Sequence, residues 1–152
     1  MRRADRGFTL VELLVVMIVL GILVAIALPV LMDQRQRARD AGSRTDVTTL
    51  GKELASYFTN AGAGGPATVS ITTVGGVDHY LVGGADVGRV TAGVRLVDYN
   101  ATTTTTSLVT ATMTSTAWCV AVADTIGSSP TIYKYSATNG LEEGSCTSAT
   151  TP

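Results

Sequence analysis

The apolar positions of this chain are not spread evenly. Leu13 to Met32 is an unbroken apolar run of twenty residues without a charge. At about 1.5 Å rise per residue it spans roughly 30 Å as a helix, the thickness of a bilayer's hydrocarbon core. Past it, Asp33 to Ala41 is polar on nearly every side, with Arg35, Arg37, Arg39 and Asp40. Such a stretch is either solvated or faces charged partners. Val47, Leu50, Leu54 and Tyr57 then recur at three- and four-residue spacing, the stripe of an amphipathic helix facing one core. Asn60, Gly62, Gly64, Gly65 and Pro66 end it. The pattern predicts one helix from Phe8 to about Thr59, roughly 75–80 Å long. Its first half must find its partners in lipid or in copies of itself.

After Pro66 the period changes to two. Val69–Ile71, His79–Val82, Val90–Leu96, Trp118–Val122 and Thr131–Tyr135 alternate as half-buried strands do, with 127–130 as the turn between the last two. Short strands on short turns imply an antiparallel sheet of four or five strands, one face covering the helical stripe. The fold class is α+β. Thr102 to Thr106 reads as a surface strand or loop, and Asn100-Ala101-Thr102 fits a glycosylation sequon.

Composition narrows the picture. The chain has 152 residues, 45% of them hydrophobic, and a net charge of −1. The first seven residues hold three arginines and one aspartate, so a chain lacking them carries −3. Nothing in that balance draws nucleic acid strongly. Chemistry has little to work with. His79 stands alone beside Asp78 and Tyr80, and Asp78, Asp86, Asp98 and Asp124 are scattered without calcium-loop spacing. Glu142-Glu143 near Asn139 reads as a solvated acidic turn rather than as a cation contact. No nucleophile elbow, phosphate loop or paired-histidine motif occurs. No enzyme, cofactor or metal is expected.

The apolar run has three readings: a plain membrane anchor, a secretory signal peptide cut after Ala25-Ile26-Ala27, or a segment for assembly. Glu12 at its leading edge argues against the signal peptide, as does the continuation of the run past Ala27 to Met32. Arginines flank both ends, so the charge rule gives no orientation. The short leader is placed on the cytoplasmic side.

Gly7-Phe8-Thr9-Leu10-Val11-Glu12-Leu13, after an Arg-bearing leader and before a long apolar segment, resembles the processing signature of type IV prepilins and pseudopilins. Gly21 and Pro29 fall where pilin helices carry a glycine and a proline, and Trp118-Cys119 with Cys146 looks like a pilin's C-terminal disulfide loop. The close match covers about Met1 to Leu31. The resemblance implies a pilin-like fold: leader 1–7, transmembrane and assembly helix 8–32, amphipathic half 33–61 and an antiparallel head 62–152. It implies cleavage between Gly7 and Phe8 by a prepilin peptidase and methyltransferase, N-methylation of Phe8, and a role for Glu12, Gly21 and Pro29 in assembly. It further implies a single-pass membrane precursor, assembly machinery in that membrane, and a surface filament that is a helical homopolymer of the chain.

The chemistry fits those roles. A new amine on Phe8 is a cation near neutral pH, and Glu12 lies one helical turn away. In apolar surroundings each needs the other. An even pair of cysteines in a small exported domain reads as one disulfide, Cys119–Cys146, with two free buried thiols as the alternative, and Trp118 reads as packing on that cystine. The tail after Cys146 lacks the acidic calcium site that resemblance to major pseudopilins would predict, which favours a pilus subunit over a secretion pseudopilin. A monomeric membrane-anchored domain binding DNA or a surface ligand is the alternative class.

Overall fold

The computed structural model describes residues 7–60, 67–97, 104–105, 107–109, 113–126 and 131–147. The leader to Arg6, the helix-stopping segment 61–66, the sequon at Asn100, the turn 127–130 and the tail beyond Thr147 lie outside them. Among the described residues one helix, α1 (Leu10–Asn60), is followed by nine strands. The chain divides into two compact units, Met1–Arg37 and Ala38–Pro152. The helix contributes to both, and each unit stands as its own body.

In the first unit the helix has no core. The large apolar side chains of this unit, from Phe8 just before the helix to Met32, are between 46% and 81% exposed. Each such side chain, once buried, contributes about 1.5–3 kcal/mol, so nineteen of them in water would cost on the order of tens of kcal/mol. Water is therefore not the final environment of this segment. By length and composition the helix is able to cross a membrane. Pro29 lies inside it. Having no N–H, it leaves the Ala25 carbonyl without its usual helical donor.

In the second unit the helix is amphipathic, burying Ser43, Asp46, Val47, Leu50, Gly51, Leu54 and Phe58. The spacing predicted Tyr57 as the last residue of the stripe. Phe58, 5% exposed, takes that place, and Tyr57 packs partly buried at its edge.

Two antiparallel sheets meet this stripe, where a single one was anticipated. The first joins β1 (Thr68–Val74), β2 (Val77–Val82), β3 (Ala85–Arg89) and β6 (Ser107–Val109) in the order β3-β2-β1-β6. The second joins β4 (Val94–Val97), β5 (Thr104–Thr105), β7 (Cys119–Asp124), β8 (Ile132–Ser136) and β9 (Gly140–Glu143) in the order β5-β4-β7-β8-β9. The first three strands form a meander through two-residue loops. Gly75-Gly76 and Gly83-Gly84 all have positive φ, the backbone that lets a tight hairpin follow the twist of its strands.

Val90–Leu96, read as one strand, is broken. Thr91 to Val94 closes a turn, with the Val94 amide donating to the Thr91 carbonyl at 2.9 Å, and only Val94 onward is strand. The cause is Asp46 on the helix, which holds Thr91 by both its amide and its hydroxyl.

The core unites Val47, Leu50, Leu54 and Phe58 with Val69, Tyr80 and Val82 of the first sheet and Leu96, Val120, Val122 and Tyr133 of the second. Strand β7 is buried on both faces. Val120 and Val122 point to the helix, while Cys119, Ala121 and Ala123 join Val97 and Cys146 in a separate small cluster.

Candidate functional site

The sequence points to the start of the helix. Gly7 and Phe8 precede it in irregular backbone, both exposed. Thr9 begins it: its carbonyl accepts the Leu13 amide at 3.3 Å, and its hydroxyl accepts the Glu12 amide at 3.3 Å. The same hydroxyl donates to Glu12 Oε2 at 3.4 Å. Thr9 is thus the N-cap and Glu12 the third helical residue, the Thr-x-x-Glu pattern of a capping box. A carboxylate there also faces the positive end of the helix dipole. These bonds are long and exposed, so they orient Glu12 weakly and leave it open to a stronger partner. The cap escaped the sequence reading, although Thr9 three residues before Glu12 was its signal.

Gly7 and Gly21 have open space where a side chain would begin, so within this chain neither is forced by packing. Gly21 and Pro29 lie on the same exposed helical segment as Glu12, spaced along it and not gathered into a site.

The second unit holds the other candidates. Cys119 and Cys146 form a disulfide, Cα–Cα 6.0 Å, both buried. Trp118 does not pack on it. Alternation along β7 turns the indole to the other face, where it stacks on Tyr135 with ring centres 5.9 Å apart and planes within 7°. His79 Nδ1 meets Asp86 Oδ2 at 2.8 Å across β2 and β3. This bond, with the Gly88 amide donating to Asp86, holds the Asp86 carboxyl below the usual carboxylate range. Glu142 is paired with Lys134 at 3.4 Å, on strand β9 and not in a turn. Among the described residues no cluster of three His, Cys, Asp or Glu side chains is arranged to hold a metal ion.

One polar cluster was not foreseen. Asp46, 6% exposed, accepts the Thr91 amide at 2.9 Å, the Thr91 hydroxyl at 2.8 Å and the Tyr80 hydroxyl at 3.1 Å. Burial, then the charge of Asp46, pushes the Tyr80 phenol far above its ordinary value. A carboxylate with three donors, one from Tyr80 on β2 and two from Thr91 just before β4, is a structural tie between helix and sheets. In sequence it is one aspartate in a polar turn of helix, which nothing local distinguishes.

Comparison with known proteins bears on the helix start. Residues 2–28 match the family model described as the prokaryotic N-terminal methylation motif. The chain is 37% identical over 57 residues to the type II secretion system core protein G of Dickeya chrysanthemi, covering 38% of this chain and 37% of that protein. It is 36% identical over 56 residues to core protein G of Pseudomonas aeruginosa, covering 37% and 39%. It is 37% identical over 54 residues to the type IV major pilin protein PilA of Myxococcus xanthus, covering 36% and 24%. The chain thus spans about a quarter to two fifths of the length of these relatives. No solved structure matches it. Residues 2–28 thus carry the prokaryotic N-terminal methylation motif, and the N-terminal stretch is similar both to a type II secretion core protein G and to a type IV major pilin.

Proposed function

We propose that this chain is a structural subunit of a pilin-class filament, made as a membrane precursor and polymerised through its N-terminal helix. The observation that carries it is the pairing of the methylation motif with a helical segment whose apolar surface is uncovered on every side. A prepilin peptidase would cut between Gly7 and Phe8, both exposed and outside the helix, and Phe8 would be N-methylated. The new ammonium and the Glu12 carboxylate would then neutralise each other as subunits leave lipid and pack helix to helix. Lipid holds the apolar segment before assembly and copies of the chain replace it afterwards. The head lies on the extracytoplasmic side, where a disulfide persists.

Pilus and secretion pseudopilus are both served by this design. The relatives include core protein G of type II secretion and a major pilin at equal identity, so the segment they share does not choose between them. The decisive experiment shears cells and follows the chain. Recovery in high-molecular-mass filaments that start at Phe8 by N-terminal mass analysis is expected. A chain that stays monomeric in the membrane overturns the filament reading, and a mature start at Leu28 establishes a signal peptide instead. Filaments at the surface in wild-type cells mark a pilus, whereas loss of protein export on deletion marks a pseudopilus.

A further inference from the structure

The apolar run ends at Met32, and the next five residues are Asp33, Gln34, Arg35, Gln36 and Arg37, with no apolar side chain among them. Arg35 and Arg37 are exposed. At about 1.5 Å per residue they stand roughly 5 and 8 Å beyond the apolar segment. That is the depth of the headgroup layer, which adds some 5–7 Å to each side of the hydrocarbon core. Two residues apart, they project about 200° from one another around the helix. A protein partner on one side would be met by a stripe, whereas charges on opposite sides suit a medium that surrounds the helix. Arg39, the next in the series, is otherwise engaged: its guanidinium donates to the Ile126 carbonyl at 2.5 Å. Nor do these arginines serve orientation, since basic residues on both flanks cancel as a topological signal.

We propose that Arg35 and Arg37 bind the phosphate groups of phospholipid headgroups, a guanidinium ring that fixes the depth of the helix in the outer part of the bilayer. This rests on the membrane-precursor reading above. The guanidinium fork matches phosphate oxygens two at a time, and its stem lies along the apolar surface while the head reaches the interface. Glutamine keeps the length and helix propensity and removes the charge.

The test uses the chain processed to Phe8, in which six arginines remain, carrying isotopically labelled guanidinium carbons and reconstituted in phosphatidylglycerol and phosphatidylethanolamine vesicles. Carbon–phosphorus dipolar dephasing reads guanidinium–phosphate contact directly, and flotation reports incorporation. Dephasing of two of the six arginine signals is expected, and its loss in the R35Q/R37Q double variant, which still floats. A chain that floats without dephasing overturns the inference and leaves membrane anchoring intact, as does dephasing that survives the double variant. A chain that fails to float overturns both. In phosphate-free glycolipid vesicles bathed in inorganic phosphate, no dephasing is expected. Its appearance there would assign the contact to a free anion and overturn the lipid assignment.

Discussion

Thr9 places its hydroxyl between the amide and the carboxylate of Glu12, so two roles for Glu12 must be separated. As a cap partner, Glu12 steadies the first helical turn. As the proposed counterion, it would neutralise the amine that cleavage at Gly7 would create. Thr9→Ala removes the cap, at about 1 kcal/mol of helix stability. In the proposed filament, Glu12→Val would leave a desolvated cation at each subunit contact, at roughly 3–5 kcal/mol. Filament yield after shearing should therefore fall modestly in Thr9→Ala and be abolished in Glu12→Val, with both proteins inserted and processed. Equal loss in the two would mean that only the cap matters. Titration of the head is a second residue-scale expectation. The Tyr80 phenol is raised in the fold, so its contribution is complete below pH about 10, where free tyrosine ionises, and is lost at higher pH as ionisation favours the unfolded chain. Tyr80→Phe should flatten that alkaline fall, while costing about 1–3 kcal/mol at neutral pH because Asp46 loses a donor. Asp86 is lowered, so its contribution is present above about pH 4 and lost as pH falls further. Asp86→Asn should flatten the acid limb. Denaturant melts across pH check both. The methylation motif over residues 2–28 was legible because it is local. Asp46 was not, because its meaning depends on Thr91 and Tyr80, more than thirty residues away.

Among the elements, the helix was the most legible, because its length and apolar run leave no rival. Its register within the head was read one residue early: Tyr57 and Phe58 both satisfy the spacing, and only the sheets decide which ring is covered. Strand β3 was missed because Ala85, Asp86, Gly88 and Arg89 form a charged sheet edge with no apolar alternation. Trp118 was assigned to the cystine by adjacency, whereas the period of two in β7 sends neighbours to opposite faces. Gly51 shows how closely helix and sheet approach. A Cβ there would clash with the Tyr135 ring, and Tyr135 is held by its stack on Trp118. Gly51→Ala should destabilise the head by about 1–3 kcal/mol, despite the better helix propensity of alanine. The Cys119–Cys146 bridge spans 27 positions and ties β7 to the segment after β9. Its loss in Cys119→Ser should cost about 3–4 kcal/mol in the chain-entropy view. Thermal melts with and without reductant check this: reductant should lower the wild-type midpoint toward that of the variant and leave Cys119→Ser unmoved.

Across the whole molecule, burial is divided as sharply as hydrophobicity. Every residue of the described core lies at Ser43 or beyond, while the large apolar side chains from Phe8 to Met32 are all exposed. Among the described residues, the buried apolar core of the second unit is thus built from its own residues. Cutting the chain between Met32 and Asp33 keeps Arg39 with its Ile126 partner, Asp46 with Thr91 and Tyr80, and the disulfide. It also retains a helix of about 28 residues whose stripe is docked, so its stability comes from packing and not from length. A chain of 33–152 should therefore be soluble and monomeric, with Cys119 and Cys146 bridged. Its unfolding midpoint should lie within a few degrees of that of the head in the full chain reconstituted in detergent. The full chain without detergent or lipid should sediment as aggregate or polymer. Analytical ultracentrifugation with thermal melts of both proteins decides it. A truncated head that unfolds or aggregates would show that the apolar helix is part of the fold itself, and the separation of anchor from head would be wrong.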